Sequence, residues 1–155
     1  METNNQAFSI PLPQAVADAL SALENAGYEA FIVGGCVRDA LLGREPKDYD
    51  ITTSALPEEV ERVFCRNRVI ETGLRHGTVT VLSRGEPLEI TTYRTDGDYS
   101  DHRHPDGVTF TRTLTEDLAR RDFTVNAIAY SPDVGLIDPF GGLNDLHEKR
   151  LRCVG

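Results

Sequence analysis

The run Phe31-Ile32-Val33-Gly34-Gly35-Cys36-Val37-Arg38-Asp39-Ala40-Leu41-Leu42-Gly43-Arg44-Glu45-Pro46-Lys47-Asp48-Tyr49-Asp50-Ile51 decides the fold of this chain. Its first three residues are apolar and two of them β-branched, which predicts a buried strand. Gly34 and Gly35 allow a close turn, and a short helix is expected from about Cys36 to Leu42, with Gly43 as its stop. After the Arg44–Lys47 loop, Asp48-Tyr49-Asp50-Ile51 reads as a second strand. Side chains two apart on a strand share a face, so Asp48 and Asp50 are expected to project together and Tyr49 away from them.

Two carboxylates side by side repel each other, and both stay ionised at neutral pH most easily with a divalent cation between them. A Gly-Gly turn feeding a helix N-terminus presents unpaired N–H groups and the positive end of a dipole, which suit phosphate. Arg38 adds a charge-assisted fork in the same place. Singly, each feature has an ordinary reading: a solvated strand edge, a plain turn, a surface arginine paired to Asp39 or Asp48. Together, at this spacing, they favour a metal beside a phosphate and hence nucleotidyl or phosphoryl transfer.

The 155 residues suffice for a core, and 39% hydrophobic with 26% charged residues is the composition of an ordinary globular domain. No apolar run reaches membrane-spanning length and no signal peptide opens the chain, so no membrane partner is expected. Cys36, Cys65 and Cys153 are odd in number and lack metal-ligand spacing, which points to a reducing cytoplasm. A net charge of −9 argues against a domain that grips nucleic acid by its own surface.

Outward from the central run, an amphipathic helix is expected over Pro13 to Ala26, with Val16, Leu20 and Leu23 inward and Gly27 as the stop. A second helix begins near Pro57, with Glu58 and Glu59 in its first turn. Val69-Ile70 and Thr78–Leu82 read as strands, and Ser83-Arg84-Gly85-Glu86 as a hairpin turn into Leu88–Tyr93. There Glu89 shares a face with Thr91 and Tyr93. It is either an exposed glutamate on a half-buried strand or a third acid beside Asp48 and Asp50. Arg94 to Gly107 reads as a long mobile loop whose His102 and His104 receive no ligand role. Val108 and Phe110 alternate as a short strand. Thr113 and Glu116 form a capping box for a helix to about Arg120, with Asp122 or Thr124 capping the next helix. Asp138-Pro139-Phe140-Gly141-Gly142 reads as a structural turn before a helix over Leu143 to His147. No repeat, low-complexity tract or linker divides residues 1–155, so one domain is expected.

Gly34-Gly35-Cys36-Val37-Arg38-Asp39-Ala40-Leu41-Leu42-Gly43, Lys47-Asp48-Tyr49-Asp50-Ile51, Arg120-Arg121-Asp122-Phe123-Thr124-Val125-Asn126-Ala127 and Asp138-Pro139-Phe140-Gly141-Gly142 together resemble the head domain of class II, bacterial-type CCA-adding enzymes and their poly(A) polymerase relatives. The resemblance covers most of the chain. It implies a polymerase-β-like nucleotidyltransferase fold of the α/β class, a small mixed sheet with helices mainly on one side. It implies template-independent, Mg²⁺-dependent addition of CMP and AMP from CTP and ATP to the 3′ end of tRNA. In that scheme Asp48 and Asp50 hold the metal and Glu89 joins them as a third catalytic acid. Gly34, Gly35 and Arg38 bind the triphosphate, and Arg121, Asp122 and Asn126 position sugar and phosphates. The resemblance also implies neck, body and tail domains. The neck would carry the Glu-Asp-X-X-Arg element that reads the base, and later domains the tRNA. The chain is thus expected to be an isolated head, weakly active or inactive alone. A poly(A) polymerase head, a CC-only or A-only enzyme, and a non-catalytic nucleotide-binding module are the alternatives.

Overall fold

The structure, a computed structural model, describes residues 9–73, 77–95 and 109–154. Helix α1 (Gln14–Asn25) starts after Pro13, whose ring fixes the extended entry, and buries Val16, Leu20 and Leu23 at helical spacing. Strand β1 (Ala30–Val33) is buried at all four positions, as its unbroken apolar run predicts. Helix α2 (Gly35–Leu41) follows at once.

Strand β2 spans Asp50–Thr53, two residues shorter at its start than the sequence suggests. The cause lies in its neighbours. The rung Val33↔Asp50 is the last that β1 offers, because the chain turns away at Gly34. On the other side, extending the register Asp50↔Glu89 would set Asp48 beside Pro87, which has no N–H to donate. Asp48 therefore precedes the strand. Tyr49 is half-buried against the main core.

Helix α3 (Pro57–Val63) has Pro57 at its first position, and Glu59 reaches back to accept from the Leu56 N–H at 2.8 Å. Strands β3 (Val69–Gly73), β4 (Thr78–Ser83) and β5 (Glu86–Thr92) form a meander. Its β4–β5 turn has positive φ at both Arg84 and Gly85, the combination that matches strand twist in a two-residue hairpin. Strand β6 (Arg94–Thr95) pairs with β7 (Thr109–Phe110) in a separate ribbon. Arg94 and Thr95 thus belong to a strand rather than to the expected loop. The rest of that loop, with His102 and His104, lies outside the described residues.

Helix α4 (Leu114–Ala119) begins where expected, but the capping box does not form. The Thr113 hydroxyl donates to the Glu116 carboxylate at 2.8 Å instead of accepting from the helix backbone. The next helix is a single 3-10 turn, Thr124–Asn126, flanked by Phe123; neither Asp122 nor Thr124 caps it. Strands β8 (Ala129–Ser131) and β9 (Gly135–Ile137) and helix α5 (Gly142–His147) complete the chain. Asp138 caps α5, accepting from the N–H groups of Gly142 at 2.7 Å and Leu143 at 2.9 Å.

The main sheet has seven strands in the order β3-β4-β5-β2-β1-β8-β9. Only β2 and β5 run parallel. Its larger core packs Val16, Leu20 and Leu23 of α1 and Val60 of α3 against Ile32, Ile51 and Ile90. On the opposite face Phe31, Val33 and Tyr93 meet Leu114 and Leu118 of α4. Among the described residues no helix is long and apolar enough to cross a membrane.

Candidate active site

The site lies where β1 ends and β2 begins. Gly34 has φ +83°, a left-handed conformation that side chains rarely adopt, and this turns the chain from strand into helix within one residue. The space above the turn is occupied by cations. A Cβ on Gly34 would lie 3.5 Å from a terminal nitrogen of Arg121, and one on Gly35 3.3 Å from a terminal nitrogen of Arg38. Arg38 also donates to the Asn126 side-chain oxygen at 2.8 Å and to Asp39 at 3.1 Å. Gly34, Gly35, Arg38, Arg121 and Asn126 are therefore brought together from segments almost ninety residues apart. The Asp39 pairing, an alternative reading of Arg38, coexists with this arrangement.

The acids stand beside that turn. Asp50 faces Glu89 across the parallel β2–β5 pair. The alternation on β5 is as predicted, with Leu88 and Ile90 buried and Glu89 exposed. Asp48, Asp50 and Glu89 line one cleft, and Asp48 and Asp50 also line a second that reaches Gly35 and Cys36. The two acids thus stand at the junction between Glu89 and the glycine turn. Partial burial raises the Asp50 carboxyl above its ordinary range. Glu89 adds to the rise, Arg121 opposes it, and Asp48 adds a smaller upward push. Burial, with Arg120 alongside, lowers Arg121 from the ordinary guanidinium value, while Asp117 and Asp50 hold it up.

Among the described residues no three His, Cys, Asp or Glu side chains converge as a ready-made metal cage. The donors present are carboxylate oxygens on an open cleft. That set fits a hard cation such as Mg²⁺, which is usually held by one or two carboxylates and completed by substrate phosphates and water. Cys36 is no competing nucleophile or ligand: it is buried, its thiol donates to the Val33 carbonyl, and burial pushes its pKa up.

Asp122 is not drawn into the group around Gly34. It is exposed, its backbone carbonyl accepts from the Val154 N–H, and among the described residues its carboxyl makes no hydrogen bond or ion pair. The residue that the sequence reading passed over is Asp117, a fully buried carboxylate on α4 that meets both Arg120 and Arg121. A signal was present: the acid sits three and four residues before the two arginines and three after the buried Leu114, hence on the inward face of a helix.

A family model described as the poly A polymerase head domain matches residues 30–152. The CCA-adding enzyme of Leuconostoc citreum is 52% identical over 147 residues, covering 93% of this chain and 36% of that protein. That of Geobacillus thermodenitrificans is 52% identical over 145 residues, covering 94% of this chain and 35% of that protein. Among solved structures, the Bacillus stearothermophilus CCA-adding enzyme in complex with CTP superposes with a TM-score of 0.81 at 46% identity, over 92% of this chain and 33% of that one. A tRNA nucleotidyltransferase complexed with a primer tRNA and an incoming ATP analog matches with a TM-score of 0.70 at 34% identity, over 88% of this chain and 39% of that one. The chain spans about a third of the length of the curated relatives it matches.

Proposed function

Because the chain belongs to the poly A polymerase head-domain family, we propose that it is the catalytic head of a CCA-adding nucleotidyltransferase, transferring CMP and AMP from CTP and ATP to a tRNA 3′ end. One observation carries the reading: Asp48 and Asp50 sit at the junction of two clefts, one running to Glu89 and the other to Gly35 at the start of α2. Carboxylates that can hold a cation beside a glycine turn flanked by arginines suit attack of a 3′-hydroxyl on an α-phosphorus.

In this proposal Asp48 and Asp50 hold Mg²⁺, with Glu89 as a third acid. Bound there, the metal would supply Lewis acidity for the phosphoryl transfer. The protein's own groups do the rest. The absence of side chains at Gly34 and Gly35 lets the two guanidinium groups lie close over the backbone, where the triphosphate would meet them. Arg121 and Arg38 neutralise its charge from above the turn and fix its orientation. Asn126, bonded to Arg38, holds that guanidinium in place and offers its amide to the sugar. Asp122, exposed and outside the group around Gly34, is given the ribose hydroxyls by the family resemblance. The net charge of −9 fits a head that leaves the polynucleotide to other parts of a longer protein. The three free cysteines fit a reducing cytoplasm.

The test is a chimaera. This chain replaces the corresponding third of the Geobacillus thermodenitrificans CCA-adding enzyme, and incorporation of CMP and AMP into tRNA lacking its 3′ CCA is followed. Ordered addition of C, C and A, abolished by Asp50→Ala, is the expected result. A run of adenylates with no cytidylate would support a poly(A) polymerase head instead. No incorporation from a folded chimaera would overturn the catalytic reading.

A further inference from the structure

Asp117 is wholly buried, and both of its oxygens are engaged. Oδ1 accepts from the backbone N–H of Arg94 at 3.0 Å and lies 3.5 Å from the Arg120 guanidinium. Oδ2 accepts from the Thr52 hydroxyl at 3.1 Å and from Arg121 at 3.4 Å. One carboxylate therefore joins three places: β2 two residues after Asp50, the first residue of the β6 ribbon, and the arginine above Gly34. The side chain of Arg121 is itself four-fifths covered, and its Nε has no hydrogen-bond partner among the described residues. Asp50 also supports its charge, but among the described residues Asp117 alone accepts a hydrogen bond from it, so loss of that carboxylate frees the guanidinium to swing away.

We propose that Asp117 is a positioning residue, which holds Arg121 over the Gly34 turn and so sets the affinity for nucleoside triphosphate without touching it. The proposal rests on the nucleotide-binding reading of that turn. Its chemistry is specific to charge. An asparagine at 117 can still accept from the Arg94 N–H, and the Thr52 hydroxyl can rotate to accept from the new amide. Arg121, which only donates, then faces an NH₂ group and loses its partner.

The experiment is a double-mutant cycle on this chain, with CTP and Mg²⁺ titrated by calorimetry and thermal unfolding recorded for each variant. Asp117→Asn should weaken CTP binding about tenfold or more. In an Arg121→Ala background the same substitution should cost less than about twofold, because the arginine it acts through is gone. A residue that merely supports the fold would cost the same in both backgrounds, and that outcome overturns the proposal. Asp117→Glu keeps the anion one methylene away. It should restore CTP affinity to within about threefold of the parent even at a lower unfolding temperature, and it takes the place of Asn in the cycle if Asn does not fold. Unchanged affinity in a folded Asp117→Asn variant also overturns it. If the parent chain binds no CTP, the nucleotide-binding reading itself fails and this inference falls with it, an outcome distinct from equal costs in the two backgrounds.

Discussion

Asp50 and Glu89 sit directly opposite each other on parallel neighbouring strands, two acids in one register with no basic side chain between them in the ladder. Asp48 adds a third negative charge from just outside the strand, and Arg121 is a cation that offsets the charge on Asp50. Such crowding lowers the stability of the empty fold and is relieved by a bound cation. Asp50→Asn should therefore leave the unfolding temperature unchanged or raise it, while reducing Mg²⁺-dependent incorporation in the chimaera by at least about a hundredfold. Thermal unfolding with and without Mg²⁺ gives the complementary reading: the parent should gain stability from the ion and the variant should not. A variant that loses stability and keeps its activity would remove Asp50 from the metal site.

Gly142 is needed for a different reason from Gly34. A Cβ there would lie 2.1 Å from the Thr124 carbonyl oxygen and 2.7 Å from its carbon, both backbone atoms that cannot swing aside. Gly142→Ala must push α5 off the 3-10 turn and disturb the buried bond between the Thr124 hydroxyl and Asp145. A loss of about 1–3 kcal/mol is expected, measured as a lower denaturation midpoint at unchanged slope. A shift under about 0.5 kcal/mol would mean that the helix is free to move.

How much of this was legible beforehand depends on how local each cause is. β1, the glycine turn and α2 could be read because an apolar run, two glycines and a helix stop lie next to one another in the chain. The end of β2 could not. Asp48 falls outside the strand because β1 stops at Val33 and Pro87 lacks a donor, and both facts belong to neighbours in space. β8 was passed over for the same reason: Ala129-Tyr130-Ser131 is a short run whose strand character comes from pairing with β1 and β9. The Thr113–Glu116 pair had the right letters for a capping box, yet Glu116 was already engaged by the hydroxyls of Thr111 and Thr113. Asp117 carries its role through partners 65 and 23 residues away, which no local pattern names.

Stability should also fall across neutral pH through a pair remote from the cleft. Glu24, near the end of α1, is raised from 4.5 to about 7, first by burial and then by the Asp133 carboxyl with which it shares a hydrogen bond. A raised acid favours the folded state while protonated. The contribution is full below about pH 4.5 and is lost as pH rises through about 7. Because the pair is partly solvated, the effect will be modest. Asp133→Asn removes the like charge, so it should flatten the decline in unfolding temperature between pH 5 and pH 8 and raise the value at pH 8. Parallel pH profiles for parent and variant would refute the coupling.

The last prediction concerns what the chain cannot select. The residues gathered around Gly34 and Asp50 offer cations, backbone and carboxylates, which meet phosphate, metal and sugar, and all four nucleotides share those. Choosing a base requires donors and acceptors aimed at its Watson–Crick edge. The run Glu116-Asp117-Leu118-Ala119-Arg120 has the letters of the base-reading element expected in a neck, but its groups are committed elsewhere. The Asp117 oxygens serve Thr52, Arg94 and the two arginines, and Glu116 serves two threonine hydroxyls. The buried Asp117 carboxylate is closed to a base, and without it the element is incomplete. This chain with Mg²⁺ should therefore bind CTP, ATP, GTP and UTP with affinities within about tenfold of one another, or about 1.4 kcal/mol. Calorimetric titration of the four triphosphates decides it. A preference for CTP and ATP beyond that margin would show that the head reads the base itself, and the search for its reader would then begin with Asp122 and Asn126. Near-equal affinities here, followed by strong C and A selection in the chimaera, would place discrimination in the parts of the Geobacillus enzyme that this chain does not span.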